Sequence, residues 1–184
     1  MRRKWVWALL LTLAGVAAYA GTVLATPPSG VTNPLWSPVI GRFADGIDAT
    51  AKTDVDSGHA TDFWQVRLSA KGATDVHILE NVLAPVGDPT FPNGGTFGWH
   101  SHPGPSLVIV KSGTLSVYHG PDCTREDYGP GSPLGSTFVD QGHDLHMVRN
   151  NSTVTADVYV VSFVPAGFQR RIDEANPNPS SCPS

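Results

Sequence analysis

Trp99-His100-Ser101-His102-Pro103-Gly104-Pro105 runs from the end of an apolar, strand-forming segment into a turn built of proline and glycine. Side chains alternate along a strand, so His100 and His102 project from one face and Trp99 and Ser101 from the other. Two imidazoles two residues apart on one face of a rigid strand project in parallel and can share a metal ion. A third histidine, His146, stands in Leu145-His146-Met147-Val148-Arg149-Asn150, which also reads as a strand. Taken alone, a His-x-His pair is only moderately specific, because a surface strand produces one by chance.

The segments on either side have the same character. Phe63–Leu68, Asp75–Leu83, Thr96–His102, Leu107–Val110, Thr114–Tyr118, Ser136–Val139, Leu145–Val148 and Val154–Val164 are short runs rich in valine, isoleucine, leucine and aromatics. Between them stand turn clusters such as Pro92-Asn93-Gly94-Gly95, Pro103-Gly104-Pro105 and Gly120-Pro121-Asp122. Many short strands at near-regular spacing with Gly/Pro punctuation predict an all-β sandwich or barrel. No segment after residue 25 keeps a 3.6-residue apolar period, and no repeat of solenoid length is present.

The 184 residues provide for one domain with a real core and not for two large ones. The 19 glycines and 16 prolines, with only 15% charged residues, argue against a helical bundle. A formal net charge of −4 argues against a general nucleic-acid binder.

Arg2, Arg3 and Lys4 precede an apolar stretch from Trp5 to Ala25. This is the layout of a secretory signal peptide, with small-residue exits at Ala18-Tyr19-Ala20 and Val23-Leu24-Ala25. An uncleaved N-terminal anchor is the competing reading, since the stretch is long enough to span a bilayer. Arg2-Arg3 also hints weakly at twin-arginine export. Loss of residues 1–25 would take the net charge from −4 to −7, because it removes three basic residues and no acidic ones. In an oxidising compartment Cys123 and Cys182 form a disulfide by default, stapling the Pro-rich tail to the domain. The alternative is two unpaired thiols. The expected organisation is therefore a signal peptide or anchor at 1–25, an irregular extension at 26–60, a β domain at 61–170 and a Pro-rich tail at 171–184.

Wider spacing around the histidines resembles the two motifs of the cupins. Gly94, five residues, His100-x-His102, a Pro-rich turn and Gly113 match the first motif; Gly135, ten residues and His146-x3-Asn150 match the second. More narrowly, Trp99–Pro105, Lys111–Leu115, Phe138-Val139-Asp140 and Val164-Pro165-Ala166-Gly167 resemble small exported bacterial cupin-domain proteins. The resemblance covers roughly Phe63 to Cys182. It implies a single double-stranded β-helix, or jelly-roll barrel, with a metal inside held by His100, His102 and His146. Two departures stand out. Ser106 occupies the position of the first motif's carboxylate, and Gln141 and His143 replace the proline and glycine of the second. Three imidazoles and an open fourth position suit a divalent transition metal: Zn, Fe, Mn, Ni or Cu. Losing the carboxylate would leave the site one charge more positive, favouring an anionic ligand or a bound hydroxide.

Ser106 and Asn150 are candidates for supporting the site: Ser106 by holding a metal-bound water, Asn150 by pinning strand ends or the third histidine. Glu80 could enter the barrel as a surrogate fourth ligand, although a solvent-facing position is the better expectation. His143 lies an odd number of residues from His146 and is expected in a loop. His59, His77 and His119 show no partner pattern. The functional expectation is an exported metal-binding protein that binds or acts on a small polar molecule. If catalytic, it would be a metal-dependent oxygenase, isomerase or hydrolase; otherwise it is a ligand-binding or structural barrel. No motif supplies a general acid or base. Expected partners are a small molecule and no nucleic acid, with membrane contact only through an uncleaved N-terminal segment. Cupins often pair through barrel edges, so the resemblance admits a homodimer, but no residue pattern marks an interface.

Overall fold

A computed structural model of the chain describes residues 25–33, 39–54 and 63–184. Nearly all of the signal-peptide or anchor segment and His59 lie outside the described residues. Among the described residues there is no helix. The described residues form thirteen strands, in chain order: β1 (Val31–Thr32), β2 (Val39–Phe43), β3 (Gly46–Asp54), β4 (Phe63–Lys71), β5 (Thr74–Leu83), β6 (Thr96–Ser101) and β7 (Ser106–Ser112). After them come β8 (Leu115–His119), β9 (Thr124–Tyr128), β10 (Thr137–Asp140), β11 (His146–Arg149), β12 (Ala156–Pro165) and β13 (Ile172–Asp173).

Two antiparallel sheets face each other. One has the order β1-β5-β12-β7-β10, with β2 also paired to β5; the other has the order β13-β6-β11-β8-β9. The fold is all-β, a double-stranded β-helix. Strict alternation produces it: β12 buries every second residue from Ala156 to Val164, and β7 buries Ser106, Val108 and Val110. Leu79, Leu83, Val108, Val110, Val158 and Val160 from the larger sheet meet Leu115, Val117 and Val148 from the smaller. Burying each such side chain contributes roughly 1.5–3 kcal/mol relative to leaving it exposed.

The five-stranded sheet is covered on its outer side as well. Trp99 and Met147 point away from the barrel yet are fully buried, because the C-terminal tail packs over them with Cys182. The Trp99 indole donates to the Pro183 carbonyl at 2.9 Å. Cys123 and Cys182 are disulfide-bonded, their Cα atoms 5.5 Å apart, which ties the tail to the turn between β8 and β9. Disulfides persist in oxidising, extracytoplasmic surroundings. The tail also adds β13 to the sheet edge, with Ile172 opposite Ser101 and Asp173 opposite His100.

The stretch 26–60 departs from the irregular extension expected of it, since its described parts include β1, β2 and β3. Backbone pairing, not an apolar pattern, makes these strands. β2 pairs along β5, and Arg42 clamps Asp75 through two 2.7 Å hydrogen bonds. β3 pairs with β4 over nine residues in a separate two-stranded sheet. That hairpin is largely exposed where its side chains are described; the apolar run Phe63–Leu68 marked β4, while β3 carries no such run.

Gly94 shows why the spacing needs glycine there. Its φ is +78°, and a Cβ would lie 2.2 Å from the carbonyl oxygen of Asn150. The first and last residues of the two motifs are thus in backbone contact, at a point where no side chain fits. His143 stands where the second motif has glycine, and its backbone is left-handed, with φ +62°, a conformation that favours glycine.

Candidate metal centre

β6 and β11 are neighbours, and their register sets His146 directly opposite His100. His102 follows two residues later from the same face of the chain. The three rings meet inside the barrel: centroids are 4.3 Å apart for His100–His146, 4.8 Å for His100–His102 and 5.3 Å for His102–His146. One nitrogen from each lies within 4.8 Å of the others, and all three residues are buried.

Each ring is oriented by a backbone carbonyl. His100 Nδ1 bonds Gly98 O at 2.8 Å, His102 Nδ1 bonds Arg170 O at 2.7 Å, and His146 Nδ1 bonds Asp144 O at 2.9 Å. A carbonyl only accepts, so in all three rings Nδ1 carries the proton and Nε2 presents a lone pair. Burial keeps the rings neutral. It pushes His100 well below its ordinary value, with the neighbouring charges of His146, Arg171 and His102 adding to the effect. His102 falls to about 4, again chiefly by burial, against the opposing pull of the Arg170 carbonyl and Asp140. His146 is lowered for the same first reason. Neutral imidazoles with a free Nε2 are in the metal-ligating state at neutral pH.

A fourth donor faces them. Asp140, the last residue of β10, places Oδ2 3.3 Å from His102 Nε2 and 3.8 Å from His146 Nε2. These contacts are not ion pairs, because the rings are neutral and their only protons are on Nδ1. Asp140 Oδ2 is buried and has no hydrogen-bond partner, while Oδ1 accepts from Gly142 N at 2.9 Å. Acceptors therefore face acceptors across the gap, an arrangement that a cation relieves. Bonds of ~2.0–2.2 Å place tetrahedral donors about 3.3–3.6 Å apart, so the three nitrogens, up to 4.8 Å apart, would draw in by as much as about an ångström around one ion.

Ser106 lines the same cavity, but its hydroxyl is paired with Ser162 Oγ at 2.7 Å. Asn150 is buried away from the histidines and ties strand ends together. Its Nδ2 donates to Leu83 O and Val154 O, and its Oδ1 accepts from Ser152. Glu80 departs from both sequence expectations. Leu79 and Asn81 line the interior, so Glu80 points to the outer face of the sheet, where it is nonetheless buried beside Lys111 Nζ at 3.3 Å. His143 is an exposed loop residue whose amide donates to His102 O at 2.7 Å. His119 pairs at the surface with Glu126, and His77 is half-buried in β5.

The sequence reading missed Asp140, Arg170 and Arg171 as cavity residues. A signal for Asp140 was present. Phe138 packs against the core, and alternation puts Asp140 on the same inward face. The cavity is small, about 40 Å³. Fold and site together define a double-stranded β-helix protein with a buried three-histidine, one-aspartate cluster.

Solved structures with a similar fold include cupin-superfamily proteins. One is a cupin superfamily protein from Desulfitobacterium hafniense, 10% identical with a TM-score of 0.38, over 63% of this chain and 78% of that one. A conserved protein with a double-stranded β-helix domain from Klebsiella pneumoniae is 12% identical, TM-score 0.41, over 71% and 84%. A cupin-2 domain protein from Shewanella frigidimarina is 14% identical, TM-score 0.34, over 47% and 68%. No protein-family model matches the chain, and comparison with curated proteins finds no match.

Proposed function

We propose that the protein is an exported metal-binding barrel in which His100, His102, His146 and Asp140 hold one divalent transition metal, and that a small molecule binds beside it. One observation carries this reading: three imidazole lone pairs and an unpartnered carboxylate oxygen converge in a buried space with no proton between them. Three nitrogens and one carboxylate suit zinc, iron, manganese, nickel or copper. When bound, such an ion supplies Lewis acidity, and iron or copper would add redox chemistry. The chain's own contribution is to fix the ring tautomers through three carbonyls and to wall the site with apolar side chains.

A binding protein without catalysis is the second reading. It is favoured by the small cavity, in which no residue other than the donors stands out as a general acid or base. Elemental analysis of protein purified from its own compartment, without a histidine tag, tests the first reading. About one equivalent of a single transition metal supports it. A folded protein that stays metal-free after reconstitution with each candidate ion overturns it.

A further inference from the structure

Arg171 is a half-buried cation at the wall of the cavity for which the metal donors have no use. It lies just before β13, and its Nε donates to Asp173 Oδ1 at 2.6 Å. Its two terminal nitrogens are shielded from solvent and have no partner, and the residue lines the same cavity as the three histidines. A guanidinium cannot discharge itself to escape burial, so its unpaired N–H groups call for an acceptor. Arg170 lines the cavity as well.

The charges point the same way. Arg170 and Arg171 are balanced by Asp140 in the cavity and Asp173 beside Arg171. A divalent ion then leaves the cavity two charges positive, with no further acidic group among the described residues that line it. Size narrows the ligand further. About 40 Å³ is room for about three waters, or for a carboxylate of three or four heavy atoms.

We propose that the cavity binds a small carboxylate anion, gripped by the two terminal nitrogens of Arg171 and facing the histidine–Asp140 cluster. The fork of a guanidinium matches a carboxylate with two parallel hydrogen bonds. The position of the anion beside an ion rests on the metal reading above; the unpartnered nitrogens of Arg171 do not depend on it.

Calorimetric titration with sodium acetate and sodium formate, using metal-free and nickel-loaded protein, tests the proposal. Near-ultraviolet dichroism monitors the fold. Wild type is expected to bind acetate or formate in both forms, and more tightly with nickel. Arg171→Gln should weaken that binding about tenfold or more while keeping one equivalent of nickel. Arg171→Lys, which keeps the charge but not the fork, should fall between them and serves as the variant if Arg171→Gln does not fold. Equal affinity in wild type and either variant, or no anion uptake by wild type, overturns the proposal. Wild type that takes up no nickel but binds acetate through Arg171 supports it and removes only the metal reading.

Discussion

Asp140 lies directly across the β7–β10 pair from Ser106, Cα partner to Cα partner. In the proposed ligand set, Asp140 would thus supply from one strand over, on the same inward face, the carboxylate that Ser106 lacks. Asp140→Asn should lower metal affinity tenfold or more, and Asp140→Ser combined with Ser106→Glu should restore much of it. Competition against a chromophoric chelator reads both. Wild-type affinity in Asp140→Asn would remove Asp140 from the donor set.

Replacing His100 and His102 together by alanine removes two of the three imidazoles. Stoichiometric metal should disappear from the purified variant. Metal content equal to wild type would refute the ligand assignment.

Acid should destabilise the metal-free protein over a defined range. His100, His102 and His146 all titrate lower in the fold than in the unfolded chain, where imidazole titrates near 6.5. Above pH ~6.5 both states are neutral and the stabilisation is fully present. As pH falls from there toward about 4, the value for His102, the unfolded chain takes up protons that the buried rings refuse, and stability is lost. The melting temperature in chelator should fall steeply over that interval. A flat profile would mean that the rings are not held neutral by burial.

Cys182→Ser should cost about 2–5 kcal/mol and loosen the tail from the sheet. Trp99, now fully buried under that tail, would become wetted and its fluorescence would shift to the red. Unchanged melting and emission would show that packing alone holds the tail.

Asn150→Ala should separate architecture from ligation. It removes the amide that ties Leu83, Ser152 and Val154 together, at a cost of about 2–4 kcal/mol. Metal stoichiometry should be unaffected. Loss of metal in a still-folded variant would give Asn150 a part in the site itself.

The strands that build the barrel were legible because each buries one face, and alternation marks that at once. β9, Thr124-Arg125-Glu126-Asp127-Tyr128, carried no such mark. It is an exposed edge strand held by its backbone pairing with β8 and by the Ser116–Asp127 hydrogen bond. β2 and β3 were hidden for a related reason, since they are specified by partners elsewhere in the chain. In the site, the histidines could be read from the His-x-His alternation taken together with the resemblance to the two cupin motifs. Asp140 offered only its alternation with Phe138, and that it faces the histidines depends on cross-strand register, which is invisible until the strands are paired. Arg171 was concealed by its position at the edge of a tail whose prolines suggest a spacer, whereas that tail closes the sheet and walls the cavity.

The order in which the ribosome delivers these parts has a consequence of its own. Every proposed donor, from His100 to His146, is synthesised before Arg170 and Arg171, and Cys182 arrives later still. A nascent barrel that stops before Arg170 would have its proposed donors in place but would lack the two arginines that wall their cavity. Completion of the chamber therefore waits for residues 170 and 171, and until they are in place the proposed donors stand in a pocket that lacks part of its wall.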